Sequence, residues 1–363
     1  MAGVRLENVE KRYGDFVAVR GVDLEIGRGE FVTLLGASGS GKTTCLRMIA
    51  GFVTPTAGRV LIDDVDVTRV PPHRRQTGMV FQQYALFPHL TVAQNVSFGL
   101  QVRRLPRDEV RRRTLAALEL VHLDGHAGRY PHQLSGGQRQ RVALARAVVI
   151  EPRVLLLDEP LAALDLKLRE ELQGEIKRVQ ETLGITAVFV THDQNEALGL
   201  SDRVVVMRDG GILQVDSPTA LYRHPRSRYV ANFVGRTNFL PAVVRDRSED
   251  GTVFRLALDD GSAQPLQVRG HQNGNFPTGT RCLVAFRPED ARIAAAGPNV
   301  VRARLDKATY VGPGWTLSCT RAADEPVTIA LPATAEIPAV GETIPVAWAP
   351  ELAILLPLDG GEP

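Results

Sequence analysis

Cysteine is scarce in this sequence. The chain contains three cysteines, Cys45, Cys282 and Cys319, which are widely separated and lack the paired spacing of a zinc site or a redox motif. This pattern argues against both kinds of site and favours free thiols in a reducing cytosol.

Long hydrophobic runs are missing as well. The opening residues, MAGVRLENVEKRYGD, contain no apolar stretch of signal-peptide length, and LAILLPL at 352–358 is far too short to cross a bilayer. We therefore expect a soluble chain whose membrane role depends on a partner. The formal net charge is only +2, so the chain lacks the large excess of basic residues that is typical of nucleic-acid-binding proteins. We therefore expect no nucleic-acid partner.

The length of 363 residues and the 44% hydrophobic content allow two domains with real cores. Strand-like stretches in residues 1–35 are followed by mixed helical and strand patterns to about residue 235, including two apolar strands at 153–160 and 185–193. Beyond residue 236, short alternating strands and frequent prolines predict a small all-β domain. We therefore place an α/β domain at 1–235 and the β domain at 236–363.

Two helical segments are also predicted. Residues 164–184 have helical spacing and end at Gly184, a typical C-terminal cap. Residues 101–123 carry arginines on one side and leucines on the other, which favours a solvated amphipathic face over a phosphate or nucleic-acid role.

A phosphate-binding loop lies near the N-terminus. The motif Gly36-x4-Gly41-Lys42-Thr43 follows the apolar stretch EFVTLLG and precedes a predicted helix, which is the context that this motif requires. Glycines let backbone N–H groups face a phosphate, and the helix N-terminus adds partial positive charge. Lys42 is expected to reach the β- and γ-phosphates, and the Thr43 hydroxyl is expected to coordinate Mg²⁺.

Polar residues follow three further apolar runs. Asp158 and Glu159 end the strand VLLLDE, where we expect Asp158 at the magnesium and Glu159 as the general base for the attacking water. His192 ends AVFVTHD and could hydrogen-bond the γ-phosphate and the water. Gln82 could bind water and metal, although an isolated histidine or glutamine is more often a surface residue.

The segment LSGGQ at 134–138, named here the signature segment, predicts a second anion-binding helix start. An N-cap serine would explain Ser135, but not the two glycines, Gly136 and Gly137, together with Gln138. Two such surfaces and one catalytic carboxylate fit a nucleotide held between two surfaces. Whether both surfaces come from one chain is left open by spacing alone.

Six motifs of this chain resemble those of ATP-binding cassette (ABC) ATPases, both in their order and in the intervals between them. The motifs are GASGSGKTT, Gln82, LSGGQ, VLLLDEP, LAALD and THD. The resemblance covers residues 1–235 and implies a P-loop NTPase fold with a helical subdomain, which binds ATP and Mg²⁺. It also implies a head-to-tail dimer, in which the signature segment of one subunit contacts the nucleotide on the phosphate loop of the other.

The resemblance also assigns individual residues. Tyr13 matches the aromatic side chain that stacks on adenine, Asp165 matches the aspartate of a loop crossing the dimer interface, and Ala162 departs from the usual serine. The implied nucleotide contacts are Tyr13, Gly36, Ala37, Ser38, Gly39, Ser40, Gly41, Lys42, Thr43, Thr44, Ser135, Gly136, Gly137, Gln138 and Asp165, with Thr43, Gln82 and Asp158 at the metal and Glu159, His192 and Gln82 in catalysis.

The segment FRPEDARI at 286–293 and the strand-rich C-terminal texture resemble the OB-like accessory domain of importer ATPases for sugars, polyamines, iron, sulfate or phosphonates. Residues 164–210 resemble most the polyamine and ferric-iron branch. The resemblance implies a homodimer or paired ATPase subunits, two membrane-spanning permeases, an external solute-binding protein and a peripheral position at the cytoplasmic face of the membrane.

Other classes of ABC ATPase fit less well. DNA-repair and chromosome ATPases place a long coiled coil between the phosphate loop and the signature segment, and the interval from Lys42 to Leu134 is too short for one. Translation-associated ABC proteins usually carry two cassettes, whereas this chain has one. An exporter would leave the β domain unexplained. We therefore expect the ATPase subunit of an importer.

Overall fold

The computed structural model describes residues 2–162, 164–259, 265–270, 275–321 and 324–358. The chain divides into two compact units, Met1–Leu221 and Tyr222–Pro363. The predicted change in texture at residue 236 lies a short distance beyond this division, so residues 222–235 belong to the second unit.

The first unit contains ten strands and seven helices among its described residues, the last helix running on to Arg223. The strands are β1 (Ala2–Tyr13), β2 (Phe16–Gly27), β3 (Phe31–Gly36), β4 (Ala57–Ile62), β5 (Val65–Asp66), β6 (Thr77–Val80), β7 (Val154–Asp158), β8 (Thr186–Thr191), β9 (Arg203–Arg208) and β10 (Gly211–Asp216). The helices are α1 (Lys42–Ala50), α2 (Val92–Val102), α3 (Arg107–Leu120), α4 (Gly136–Val148), α5 (Leu166–Leu183), α6 (Gln194–Leu200) and α7 (Pro218–Arg223).

A six-stranded sheet in the order β10-β9-β3-β8-β7-β6 forms the centre of this unit. Its pairs are parallel except for β9 with β10. Every residue of β3, β7 and β8 is buried, because separate hydrophobic clusters cover the two faces. The predicted interior strands are therefore confirmed, and their carboxyl ends meet at one edge of the sheet. A second sheet has the order β2-β1-β4-β5.

The predicted helical segments are present with one difference in extent. Helix α5 ends at Gly184, whose φ of 61° is left-handed, as its sequence predicts. Residues 101–123 form two helices rather than one continuous face, since α2 ends at Val102 and Pro106 precedes α3. Proline lacks the N–H that an uninterrupted helix needs, which explains the break.

The second unit begins with the short helix α8 (Arg228–Val234) and continues as strands. These are β11 (Asn238–Arg247), β12 (Val253–Leu258), β13 (Leu266–Arg269), β14 (Arg281–Phe286), β15 (Arg292–Ile293), β16 (Asn299–Tyr310), β17 (Gly314–Thr320), β18 (Pro326–Pro332), β19 (Thr343–Trp348) and β20 (Ala353–Pro357). They form two five-stranded antiparallel sheets, in the orders β13-β12-β11-β14-β20 and β15-β19-β16-β17-β18, around one shared hydrophobic core.

Helix α8 packs on the first of these sheets. Its Ala231 is fully buried in a small cluster with Leu283, Ala285 and Leu356. This contact explains why the division of the chain precedes α8.

Candidate nucleotide site

The phosphate loop, residues 36–44, connects β3 to α1. Gly39 and Gly41 have left-handed φ values of 82° and 98°. A Cβ atom at Gly41 would lie 2.6 Å from the carbonyl oxygen of Ala18, so this position requires glycine for both conformation and space. Because the loop leads into α1, it lies at the N-terminus of that helix. Unpaired N–H groups and the helix dipole favour an anion there.

Lys42 is a buried cation in this loop. Its Nζ donates hydrogen bonds to the carbonyl oxygens of Gly36 at 2.7 Å and Ala37 at 2.9 Å. Burial lowers the pKa of Lys42, while the negative charges of Glu159 and Asp158 oppose that change. An ammonium group held among backbone carbonyls can exchange those contacts for phosphate oxygens.

A hydroxyl and a carboxylate meet beside the loop. Thr43 Oγ1 donates to Asp158 Oδ1 at 3.3 Å, which joins the start of α1 to the end of β7. Burial raises the pKa of Asp158, against the opposing effects of Arg47 and the Thr43 hydrogen bond. Arg47 Nη2 lies 3.8 Å from Asp158 Oδ2. Thr43 and Asp158 thus present a hydroxyl oxygen and a carboxylate oxygen, and oxygen atoms are the ligands that Mg²⁺ prefers.

Glu159 is the meeting point of two other side chains. Gln82 Nε2 donates to Glu159 Oε2 at 3.4 Å, and His192 Nδ1 lies 3.7 Å from the same oxygen. Glu159 has a left-handed φ of 44°, and its N–H donates to the carbonyl of Val190 at 3.1 Å. The ends of β6, β7 and β8 therefore bring together the three residues that the sequence singled out for catalysis.

The signature segment forms the start of α4, as predicted, but its local structure corrects one expectation. Ser135 Oγ accepts from the N–H of Gln138 at 3.3 Å, and Gln138 Oε1 accepts from the N–H of Ser135 at 3.0 Å. This is a capping box, so a local cap does explain Gln138. Packing explains Gly137, because a Cβ there would lie 2.7 Å from Leu168 Cδ1.

Asp165 is the N-cap of α5 and accepts a hydrogen bond from the N–H of Leu168 at 3.0 Å. Since Leu168 also packs against Gly137, the Asp165 turn and the signature segment adjoin each other. No hydrogen bond or ion pair in the described part of the chain joins the signature segment to the phosphate loop.

Tyr13 is the last residue of β1. Its side chain is 51% exposed, and the Lys11 ammonium lies 5.0 Å from the centre of its ring. An exposed aromatic ring of this kind can stack on a flat ligand.

The sequence did not predict the contacts of two arginines, Arg47 and Arg146. Arg47 approaches Asp158, and Arg146 donates to the backbone carbonyls of Tyr84 and Ala85. Each contact joins segments that are distant along the chain, so a local motif could not reveal it.

At the carboxyl edge of the sheet, a loop suited to phosphates adjoins a carboxylate suited to activating water. This arrangement defines the class of P-loop nucleotide hydrolases. Comparison with known proteins gives the family within that class.

Two family profiles match the chain. The profile described as ABC transporter matches residues 19–162, and the profile described as TOBE domain matches residues 284–356.

Curated relatives extend the similarity over most of the chain. The spermidine/putrescine import ATP-binding protein PotA of Rubrobacter xylanophilus is 51% identical over 310 residues, which are 85% of this chain and 81% of the relative. The protein of the same name from Acidothermus cellulolyticus is 46% identical over 360 residues, covering 96% of this chain and 92% of the relative.

Solved structures agree with the fold of the first unit. The ATP-binding cassette MJ0796, a dimer in a post-hydrolysis state with ADP and Pi, has a TM-score of 0.53 and 38% identity, covering 59% of this chain and 98% of that one. The structure of cbiO1 from Clostridium perfringens has a TM-score of 0.56 and 35% identity, covering 60% and 89%.

The chain therefore belongs to the ATP-binding proteins of ABC transporters. It binds and hydrolyses ATP as the ATPase subunit of an importer, and its second unit carries a TOBE domain. The family, the fold class and the importer function expected from the sequence are confirmed.

Proposed function

We propose that this chain energises the uptake of a polyamine such as spermidine or putrescine. The observation that carries the proposal is the match to the Acidothermus relative, which extends over nearly the whole chain and includes the β unit. Ferric iron, phosphonate, sulfate and sugar are the alternative solutes, since related ATPases with an accessory β domain serve them.

In the proposed mechanism, the phosphate loop and Lys42 bind the phosphates of ATP. Glu159 accepts the proton of the attacking water, because its carboxylate is the acidic group at the site that two polar side chains face. Gln82 and His192 orient the water and the terminal phosphate. Tyr13 stacks on the adenine ring.

Asp158 and Thr43 would hold Mg²⁺, with Gln82 adding an amide oxygen. Among the described residues, no cluster of three or more His, Cys, Asp and Glu side chains could bind a metal. A site with few protein ligands suits Mg²⁺, which usually keeps waters and takes phosphate oxygens as ligands. When bound, the ion would neutralise negative charge on the phosphates.

We further propose that two chains pair head to tail, so that Ser135–Gln138 and Asp165 of one subunit complete the nucleotide site of the other. Among the described residues, the signature segment forms no hydrogen bond or ion pair with the phosphate loop of its own chain, which supports this arrangement. The dimeric MJ0796 cassette, which is 38% identical and covers 59% of this chain, supports it as well.

The permeases are proposed to dock beside Gln82. Residues 81–91, named here the Gln82 loop, lead into α2, and a groove of about 510 Å³ runs between α2 and α3. The groove combines apolar and basic side chains, including Leu105, Val110, Arg107 and Arg111. A short amphipathic helix with an acidic end would complement it.

The proposed location is the cytoplasmic face of the cell membrane, reached through the permeases. Over the described residues, no helix is both long and apolar enough to cross a bilayer. A solute-binding protein outside the membrane would deliver the polyamine.

Reconstitution in lipid vesicles tests the proposal. The chain is assembled with two permeases and a solute-binding protein identified from the genes beside its own, and ATP hydrolysis and labelled spermidine uptake are measured together. Spermidine should stimulate hydrolysis and accumulate in the vesicles, whereas complexes with Glu159→Gln should accumulate none. Stimulation only by iron, sulfate, phosphonate or sugar would refute the polyamine assignment and leave the importer ATPase intact.

A further inference from the structure

The backbone of the Gln82 loop turns in an unusual way directly after Gln82. Tyr84 and Ala85 both have left-handed φ values, 62° and 48°, although neither is glycine. Such conformations are uncommon for residues with a Cβ atom and persist when surrounding contacts hold them. Both carbonyl oxygens of this turn accept hydrogen bonds from one side chain.

That side chain is Arg146 of α4. Its Nη1 donates to the carbonyl of Ala85 at 2.7 Å, and its Nη2 donates to the carbonyl of Tyr84 at 2.8 Å. The guanidinium carbon also lies 5.9 Å from the ring centre of Phe87. The fork geometry of a guanidinium suits two neighbouring acceptors, whereas an ammonium is a point donor.

The far end of the Gln82 loop is fixed separately by Asn95 of α2. Its side chain is fully buried, accepts from the N–H of Phe87 at 2.8 Å and donates to the carbonyls of Phe87, Leu90 and Thr91. Arg146 instead holds the end next to Gln82, where the ring of Phe81 also packs against Phe52.

Helix α4 joins this contact to the signature segment. Arg146 lies eleven positions after Ser135, a distance of about 16 Å along a helix that rises about 1.5 Å per residue. The helix is also packed tightly against β6, since a Cβ at Gly78 would lie 2.3 Å from the carbonyl oxygen of Ala147. One helix thus presents the signature segment at its start and holds the Gln82 loop near its end.

We propose that Arg146 is a positioning residue for ATP hydrolysis. By holding the carbonyls of Tyr84 and Ala85, it keeps Gln82 in contact with Glu159. This inference rests on the role of Gln82 given under the proposed function.

A double-mutant cycle on the full chain tests whether Arg146 acts through Gln82. The variants are Arg146→Met, Gln82→Ala and the pair combined. Arg178→Met is the matched control, because Arg178 also donates to a backbone carbonyl, that of Leu120, which is not part of the Gln82 loop. Steady-state ATP hydrolysis gives kcat and KM, and thermal unfolding confirms that each variant is folded.

Arg146→Met should lower kcat about 10- to 100-fold, as expected when a reacting group is misplaced, with KM nearly unchanged. In the Gln82→Ala background, the same substitution should cost less than about twofold. Arg178→Met should keep the original kcat. Arg146→Lys, which retains one donor to a carbonyl, should give an intermediate kcat. If Arg146→Met does not fold, Arg146→Lys replaces it in the double-mutant cycle.

Equal losses of kcat from the Arg146 substitution with and without Gln82 would overturn the inference. An unchanged rate for Gln82→Ala would overturn it too, because Arg146 would then have nothing to act through. In both cases an active wild-type importer would leave the proposed transport function standing, so the two failures are distinguishable.

Discussion

Ser135 and Gln138 bind each other through two reciprocal hydrogen bonds at the first turn of α4, at 3.3 and 3.0 Å. The cap uses the Ser135 oxygen as an acceptor and the N–H groups of Ser135 and Gln138 as donors. The N–H groups of Gly136 and Gly137 precede the first intrahelical donor. They can therefore serve an anion brought by another subunit.

A mixing experiment tests this trans arrangement. Ser135→Arg should leave ATP binding by a lone subunit nearly intact but block closure of the dimer, since a bulky cation would stand at the helix start. Lys42→Ala should weaken ATP binding itself, because the ammonium facing the phosphates is lost. Each variant alone should hydrolyse almost no ATP, as measured by phosphate release.

Mixed in equal amounts, the two variants should recover part of the activity. One site of the heterodimer would combine an intact phosphate loop with an intact signature segment, provided that a single intact site turns over. No recovery at concentrations where dimers form, or loss of ATP binding by monomeric Ser135→Arg, would contradict the trans arrangement.

Glu159→Gln should bind ATP and hydrolyse it very slowly. Glutamine keeps the shape beside Gln82 and His192 but cannot accept a proton, and loss of a general base costs about 10²–10⁴-fold in rate. The variant should accumulate as an ATP-bound dimer in size-exclusion chromatography. Glu181→Gln, at an exposed glutamate of α5, is the control and should keep normal turnover. Normal turnover by Glu159→Gln would remove the residue from this role.

Arg47→Gln should move the acid limb of Mg²⁺-dependent hydrolysis to higher pH. The positive charge of Arg47 lowers the pKa of Asp158, against the larger effect of burial, which raises it. Without that charge the pKa of Asp158 rises further, so the carboxylate is protonated at a higher pH and loses its affinity for the metal. The pH profile of the isolated subunit measures this shift.

Arg59→Gln is the control for the pH profile, because Arg59 pairs with Glu7 and not with the site. An acid limb that stays in place for Arg47→Gln, or moves equally for both variants, would show that Arg47 does not tune Asp158.

A fragment of residues 1–221 should fold and bind ATP, because every residue proposed to contact the nucleotide lies within it. A fragment ending at residue 235 should be less soluble. It would expose Val230, Ala231 and Val234, which are buried in the full chain. Circular dichroism, ATP titration and light scattering compare the two fragments. Native-like circular dichroism of the shorter fragment without ATP binding would show that the first unit needs the second.

The sequence predicted the strands and helices that carry the site because their signals are local. The apolar runs before Gly36, Asp158 and His192 are too hydrophobic for a half-exposed strand, so parallel strands buried on both faces followed from composition alone. Gly184 marked the end of α5 for the same reason, since its left-handed φ suits glycine. Pro106 is visible in the sequence, but the arginine and leucine pattern of residues 101–123 predicted one amphipathic helical face without a break at this proline.

Amino-acid sequence alone determined the family of this protein, because the phosphate loop and the signature segment are short motifs with their own backbone requirements. Tertiary structure alone decided which side chains meet. The order β3-β8-β7-β6 brings Gln82 and His192 to Glu159, and the packing of α4 places Arg146 on the turn after Gln82. These contacts join segments far apart in the chain, and the pairing of strands, which no local pattern encodes, sets their distances.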